Sequence, residues 1–173
     1  MLVLFVGCAS FKTGLIQTGG ADEMIQNAIL DFSNATRLYK KDTVFSVSVL
    51  EIVDKDPIVV RIGSNTMNLL LTEETKVGSK GGKLPSRFIE KDGKLFFWWD
   101  DDYPLTEEAL AVYEKYDLLQ DDEGGVITVP EFTINDAQKA AHYYFCKNDP
   151  SKYKRVITNI GVGYYDPPTL KCD

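Results

Sequence analysis

Residues 87–99 read RFIEKDGKLFFWW, and this stretch carries the strongest structural signal in the chain. Two alternating apolar runs flank the pair Asp92 and Gly93. Asp-Gly between such runs favours a tight β-hairpin turn, because both turn positions need a positive φ that these residue types tolerate. The stretch therefore predicts two antiparallel strands, 87–90 and 94–99. The acidic run that follows ends the second strand.

Three further strands are predicted ahead of the hairpin. Residues 44–53 read VFSVSVLEIV, with apolar side chains on one face and Ser46 and Ser48 on the other, which is typical of a half-buried strand. Turn-forming residues separate this segment from two more apolar runs. We expect those runs to be strands at 58–62 and 67–72.

Apolar residues recur at helical spacing in three segments, and a residue that can cap a helix opens each of them. Asp22, Thr106 and Thr133 have the side-chain oxygens that accept hydrogen bonds from the first free backbone N–H groups of a helix. The predicted helices are 22–34, 106–116 and 133–145.

Strand runs mixed with helices, and joined by short connections, predict an α+β fold. Two more strands are expected at 126–129 and 153–163, and the glycine-containing residues 73–85 are expected to form a long loop. The expected architecture is an antiparallel sheet of about five to seven strands with two or three helices packed on one face.

Composition narrows the class of protein. The chain has 173 residues, 44% of them apolar, which favours one folded domain. Its net charge of −7 repels phosphate backbones, so nucleic acid is not expected as a partner. One histidine and three cysteines are too few for a zinc site built from several Cys and His ligands, and we expect no metal or other cofactor.

The first residues point to export. Residues 1–8 read MLVLFVGC, an uncharged apolar run that ends in a small residue and a cysteine. This pattern resembles the lipobox of bacterial lipoproteins, and the chain is similar to small lipoproteins of Gram-negative bacteria. The resemblance implies that residues 1–7 are a signal-peptide remnant, that Cys8 carries the lipid, that residues 8–20 are a tether, and that residues 21–173 form a single α+β domain. The alternative is that Leu2 to Val6 form a buried first strand.

The other two cysteines bear on the compartment. If Cys8 carries lipid, Cys146 and Cys172 remain as an even pair, which an oxidising compartment would join in a disulfide. The resemblance places the protein in the bacterial cell envelope, lipid-anchored and either periplasmic or associated with the outer membrane. The alternative is two free thiols in an intracellular protein.

The aromatic and acidic segment 96–103 is the most unusual local composition in the chain. In a strand, Phe97 and Trp99 face one way and their neighbours face the other way. The strand is either buried on both sides or presents an exposed aromatic platform that suits a sugar ring or a protein partner. The candidate ligand-binding residues are Phe97, Trp99, Asp100, Asp101, Asp102 and Tyr103.

Catalytic and metal signatures are sparse. His142 is the only histidine, and in the predicted helix it is more typical of a surface residue than of a catalyst. The phosphate-loop, dinucleotide-binding and nucleophile-elbow motifs do not occur. Residues 120–131 faintly resemble a calcium-binding EF-hand loop, with Asp122 and Glu131 as candidate ligands, but Gln120 and Gly124 stand at two ligand positions, so an acidic turn is the favoured interpretation.

The sequence therefore favours a non-catalytic binding or assembly module that is attached to a bacterial membrane through its lipid and has a protein or carbohydrate partner. A second hypothesis is a carboxylate-based or sugar-processing enzyme that uses residues 96–103. A third hypothesis is an intracellular domain with reduced cysteines.

Overall fold

The computed structural model describes residues 12–13, 20–51, 57–65, 67–121, 139–159 and 168–172. Cys8, the candidate calcium ligands Asp122 and Glu131, and the predicted strand 126–129 lie outside these ranges. Of the segment predicted to be a tether, residues 12 and 13 belong to a strand.

The described residues form two sheets and two α-helices. The strands are β1 (Lys12–Thr13), β2 (Val44–Glu51), β3 (Pro57–Ser64), β4 (Leu69–Leu71), β5 (Arg87–Lys91), β6 (Lys94–Trp98), β7 (Leu119–Asp121), β8 (Lys139–Cys146) and β9 (Asp149–Asn159). The helices are α1 (Gly20–Ala35) and α2 (Glu107–Lys115), with a 3-10 turn at Leu38–Lys40.

Seven strands make the main sheet in the order β1-β5-β6-β2-β3-β8-β9, and β4 pairs with β7 in a small second sheet. In the main sheet β2 and β6 run parallel and every other described pair is antiparallel. The predicted α+β class is confirmed. The hairpin is confirmed as well, since Asp92 and Gly93 have φ values of 52° and 74° and join β5 to β6.

The two helices lie on opposite faces of the main sheet, whereas the sequence predicted helices on one face only. Phe96 and Trp98 point from β6 into a core that is closed by α1, and Phe97 points into a second core that is closed by α2. The helices separate because β6 is apolar on both faces, so each face needs its own cover. The central strand is thus buried on both sides.

The predicted helix over residues 133–145 is wrong where the structure describes it, because Lys139–Cys146 form β8. This strand pairs with β3 on one side and β9 on the other. Its alanines suggested a helix, but Tyr143, Tyr144 and Phe145 pack well on a sheet, and pairing on both sides outweighs the modest helix preference of alanine.

The predicted cysteine pair has disulfide geometry. Cys146 ends β8, and its Sγ lies at bonding distance from that of Cys172, with the Cα atoms 5.5 Å apart. The bridge ties the described segment 168–172 to the sheet. None of the helices in the described ranges is long and apolar enough to cross a bilayer.

Reducing this bridge is expected to lower the free energy of unfolding by about 3.5 kcal/mol, because it closes a loop of 26 residues and so restricts the unfolded chain. Urea unfolding with and without a phosphine reductant measures the difference. The comparison uses the variant Cys8→Ser, in which no third thiol can interfere. Equal midpoints in the two conditions would contradict the expectation.

Candidate binding site at Trp99

The structure divides the predicted aromatic platform into buried and exposed parts. Phe97 is fully buried in the second core, where its ring meets that of Tyr113 edge to face at 5.9 Å. It is therefore not available to a ligand. Trp99 lies just after β6, and 46% of it is exposed to solvent.

The Trp99 indole is held in one orientation. Its Nε1–H donates a hydrogen bond to the carbonyl oxygen of Lys83 at 3.0 Å, and its ring contacts that of Phe97 edge to face at 5.7 Å. The polar edge of the indole is thereby satisfied, and the exposed area is mostly apolar ring. A fixed aromatic surface loses little conformational entropy when a ligand stacks on it.

The three aspartates after Trp99 have different surroundings. Asp100 accepts a hydrogen bond from Arg87 at 3.2 Å and another from the backbone N–H of Asp102 at 3.1 Å. Asp101 and Asp102 are exposed. The carboxylate of Asp101 faces residue Gly81, where a Cβ would lie 3.8 Å from its Oδ1. Asp100 is therefore held by hydrogen bonds to other residues of the protein, whereas the exposed carboxylate of Asp101 is accessible to a ligand.

Arg87 holds Asp100 and the ring of Tyr103 in place, and it was not among the residues predicted from the sequence. The guanidinium is 3% exposed and donates to Asp22 of α1 at 3.1 Å as well as to Asp100. Its Cζ lies 3.9 Å from the ring centre of Tyr103 and 5.3 Å from that of Trp98. Tyr103 is half-buried, and its ring lies over the positively charged guanidinium of Arg87. The signal in the sequence was an arginine next to the apolar pair Phe88 and Ile89 in one strand of a hairpin whose other strand is followed by an acidic run.

A cleft of about 310 Å³ lies next to the residue that holds the Trp99 indole, although Trp99 itself is not one of its lining residues. Lys83, whose carbonyl holds the indole, is one of its lining residues, and Gly81 next to Asp101 is another. Most of the lining comes from the long loop that the sequence predicted. The cleft is lined by Thr72, Glu74, Thr75, Ser79, Lys80, Gly81, Gly82, Lys83, Leu84 and Leu105.

Backbone hydrogen bonds fix the loop in position. The N–H of Gly78 donates to the carbonyl of Leu105 at 2.7 Å, and the N–H of Leu105 donates to the carbonyl of Ser79 at 2.8 Å. Gly81 has a φ of +64°, a conformation that a side chain would strain. The buried side chain of Leu84 attaches the end of the loop to the second core. The cleft is thus built by the segment before α2 as well as by the loop.

The site combines an apolar ring with hydrogen-bonding groups of both kinds. The lining carries the ammonium of Lys80 and the hydroxyls of Thr75 and Ser79, of which the first already accepts from the Thr72 N–H and the second already donates to the Lys76 carbonyl. The carboxylate of Asp101 faces Gly81. Lys83 and Glu74 form an exposed ion pair at 3.2 Å, which contributes little to stability and leaves both side chains accessible. This combination suits a polar ligand that has one apolar face.

His142 lies elsewhere, on β8, and does not line the cleft. It is half-buried, and burial, followed by the charge of Arg61, holds the pKa of its imidazole below the ordinary value. The cleft therefore has no histidine to act as a general base. No group of three or more His, Cys, Asp or Glu side chains within the described ranges could hold a metal ion.

The sequence matches no family model and no curated protein, and the fold matches no solved structure.

Proposed function

We propose that this chain is a non-catalytic binding module anchored by lipid in a bacterial cell envelope, and that it binds carbohydrate at Trp99 and the adjoining cleft. The observation that carries the proposal is the fixed, half-exposed indole, which is hydrogen-bonded to Lys83, a residue that lines a cleft with hydroxyl, ammonium and carboxylate groups. A sugar ring has an apolar C–H face that stacks on an indole and hydroxyls that pair with such groups.

The arrangement favours binding over catalysis. The enzyme hypothesis needs a pair of carboxylates near the aromatic segment. Asp100 is already paired with buried Arg87, so Asp101 and Asp102 would have to act without it. Trp99, by contrast, belongs to neither core and remains exposed to solvent.

The location in the envelope is supported by two features. The lipobox resemblance makes Cys8 the acylated residue, and the disulfide geometry of Cys146 and Cys172 suits an oxidising compartment. Because β1 begins at Lys12, four residue steps separate Cys8 from the sheet, a reach of about 14 Å at most. The anchored domain would then lie close to the lipid surface.

The anchor is tested by expressing the natural gene, with its own upstream sequence, in a bacterium supplied with a labelled fatty acid. We expect label on the wild-type protein and its recovery with membranes. The variant Cys8→Ser should lose both. A wild-type protein without label, or a Cys8→Ser variant that stays with the membranes, would overturn the anchor.

Carbohydrate binding is tested with the purified domain, residues 9–173, on an array of neutral and acidic oligosaccharides. We expect a related set of oligosaccharides to be retained. An array on which nothing is retained above background would overturn this part of the proposal, independently of the result for Cys8.

A further inference from the structure

The main sheet receives the chain from the proposed lipid anchor at one of its two ends. β1 is antiparallel to β5, and Lys12 lies opposite Glu90, the last but one residue of β5. β5 then turns at Asp92 and Gly93 into β6. β1 therefore begins at the end of the sheet that carries this hairpin turn, within about 14 Å of the lipid proposed for Cys8. We call this end of the sheet the anchor end.

Three exposed cations lie at the anchor end, in the turn that follows α1. Arg37, Lys40 and Lys41 belong to the 3-10 turn or flank it. The hydroxyl of Tyr39, in the same turn, donates a hydrogen bond to Asp92 of the hairpin at 3.3 Å. The turn is therefore held beside the hairpin. We call Arg37, Lys40 and Lys41 the basic turn.

The acids at the anchor end do not pair with the basic turn. No described residue forms an ion pair with any of its three cations. Asp92 is paired with Lys91 at 2.6 Å, and Asp42 accepts a hydrogen bond from a hydroxyl on β3. Glu114 and Asp117 are exposed, but they lie at the end of α2, on the opposite face of the sheet. The cations of the basic turn therefore remain available to an anion outside the protein.

The opposite end of the sheet carries the cleft and an excess of acids. Trp99 follows the last residue of β6, about 16 Å from the hairpin turn at the usual rise of a strand. Both helices begin at this cleft end, since Asp22 of α1 pairs with Arg87, the first residue of β5, and α2 follows Leu105 of the cleft. The exposed acids there include Glu23, Asp101, Asp102, Glu107 and Glu108, and they outnumber the exposed lysines of the cleft loop.

We infer that the basic turn binds the anionic headgroups of the membrane that holds the proposed lipid anchor, on which this inference rests. A lysine or arginine near an anionic lipid surface favours the contact by about fivefold, so three of them can orient a domain that the lipid already holds nearby. The net charge of −7 does not prevent this contact, because charges more than about 8 Å apart are largely screened at physiological ionic strength. The cleft then faces away from the membrane, where a large ligand can reach it.

The test fixes the chain from Cys8 onward to vesicles by coupling its thiol to a maleimide-bearing phospholipid, which replaces the natural acylation. Cys8 is the thiol free to couple, since Cys146 and Cys172 form the disulfide. One set of vesicles contains phosphatidylglycerol and the other contains only phosphatidylcholine. A water-soluble acetylating reagent then modifies exposed lysines, and mass spectrometry gives the rate at each position.

We expect Lys40 and Lys41 to react at least about fivefold more slowly on the phosphatidylglycerol vesicles, and this protection to disappear in about 1 M salt. Lys80 and Lys83, at the cleft end, should react equally on both kinds of vesicle. Equal rates for Lys40 and Lys41 on the two kinds of vesicle, or the same protection at Lys80 and Lys83, would overturn the inference.

The variant Arg37→Gln with Lys40→Gln should lose most of the protection of Lys41, because two of the three cations are gone. Lys76→Gln with Lys80→Gln is the matched control, since it removes the same charge from exposed positions at the cleft end, and Lys41 should stay protected. Protection of Lys41 that survives in the first variant would also overturn the inference. The coupling does not depend on acylation in the cell, so a failure here leaves the fatty-acid labelling of Cys8 as a separate result.

Discussion

Replacing Arg87 with methionine is expected to lower the free energy of unfolding by about 3–5 kcal/mol, one of the two largest effects we predict for a single substitution. The guanidinium is buried between the rings of Tyr103 and Trp98 and pairs with Asp22 and Asp100. Methionine fills much of the same volume but leaves both carboxylates, themselves largely buried, without their counter-charge. Removing one partner from such a network costs more than the network contributes as a whole, because the remaining charges stay desolvated.

Urea unfolding of the variant measures this effect, with Arg37→Met as the matched control at an exposed position. The control should change the free energy of unfolding by no more than about 0.5 kcal/mol. A combined variant, Arg87→Met with Asp22→Asn and Asp100→Asn, should recover part of the loss because it removes the unpaired charges. If Arg87→Met proves as mild as Arg37→Met, the ion-pair network is not what holds α1 to the segment before α2.

Replacing Phe96 with alanine is expected to cost about 3–5 kcal/mol, through lost burial and the cavity that remains. Phe96 is fully buried in the core closed by α1, with ring centres of Phe45 at 5.0 Å, Phe32 at 6.1 Å and Tyr39 at 6.4 Å. Those rings come from three other elements, so the surroundings cannot easily collapse into the gap.

The matched control is Trp99→Ala, which removes a larger aromatic side chain three residues along the chain. Since Trp99 is nearly half exposed and lies outside both cores, we expect its replacement to cost about 1 kcal/mol or less, from the lost hydrogen bond and ring contact. Similar losses for Phe96→Ala and Trp99→Ala would contradict the division of the aromatic segment into core and surface.

The hairpin and strands β2 and β3 were predictable because their signals are local. Asp92 and Gly93 specify the turn, and the alternation around Ser46 and Ser48 specifies a strand. Strand β8 was not predictable in the same way. Its eight residues lack a clear period, and only pairing with β3 and β9, which are distant along the chain, makes them a strand.

The site was predictable in part, for a related reason. The aromatic segment identified Trp99. This residue is exposed because it follows the last residue of β6, and the end of that strand was predicted from the acidic run beside it. The cleft depends on hydrogen bonds between Leu105 and the loop, which join residues more than 20 positions apart. The role of Asp100 depends on Arg87 and through it on α1. Contacts of this kind are set by tertiary packing and leave no pattern in the sequence that separates Asp100 from Asp101.

If Trp99 anchors a carbohydrate, removing its indole should weaken the binding of the oligosaccharide best retained on the array, and calorimetry measures the two dissociation constants. Stacking on a fixed tryptophan typically makes it a dominant contact, so Trp99→Ala should bind at least tenfold more weakly while losing no more than about 1 kcal/mol of folding free energy. Met67→Ala, which removes the most exposed of the large apolar side chains described, is the control and should bind like the wild type. Equal dissociation constants for the wild type and Trp99→Ala would show that Trp99 does not anchor the carbohydrate.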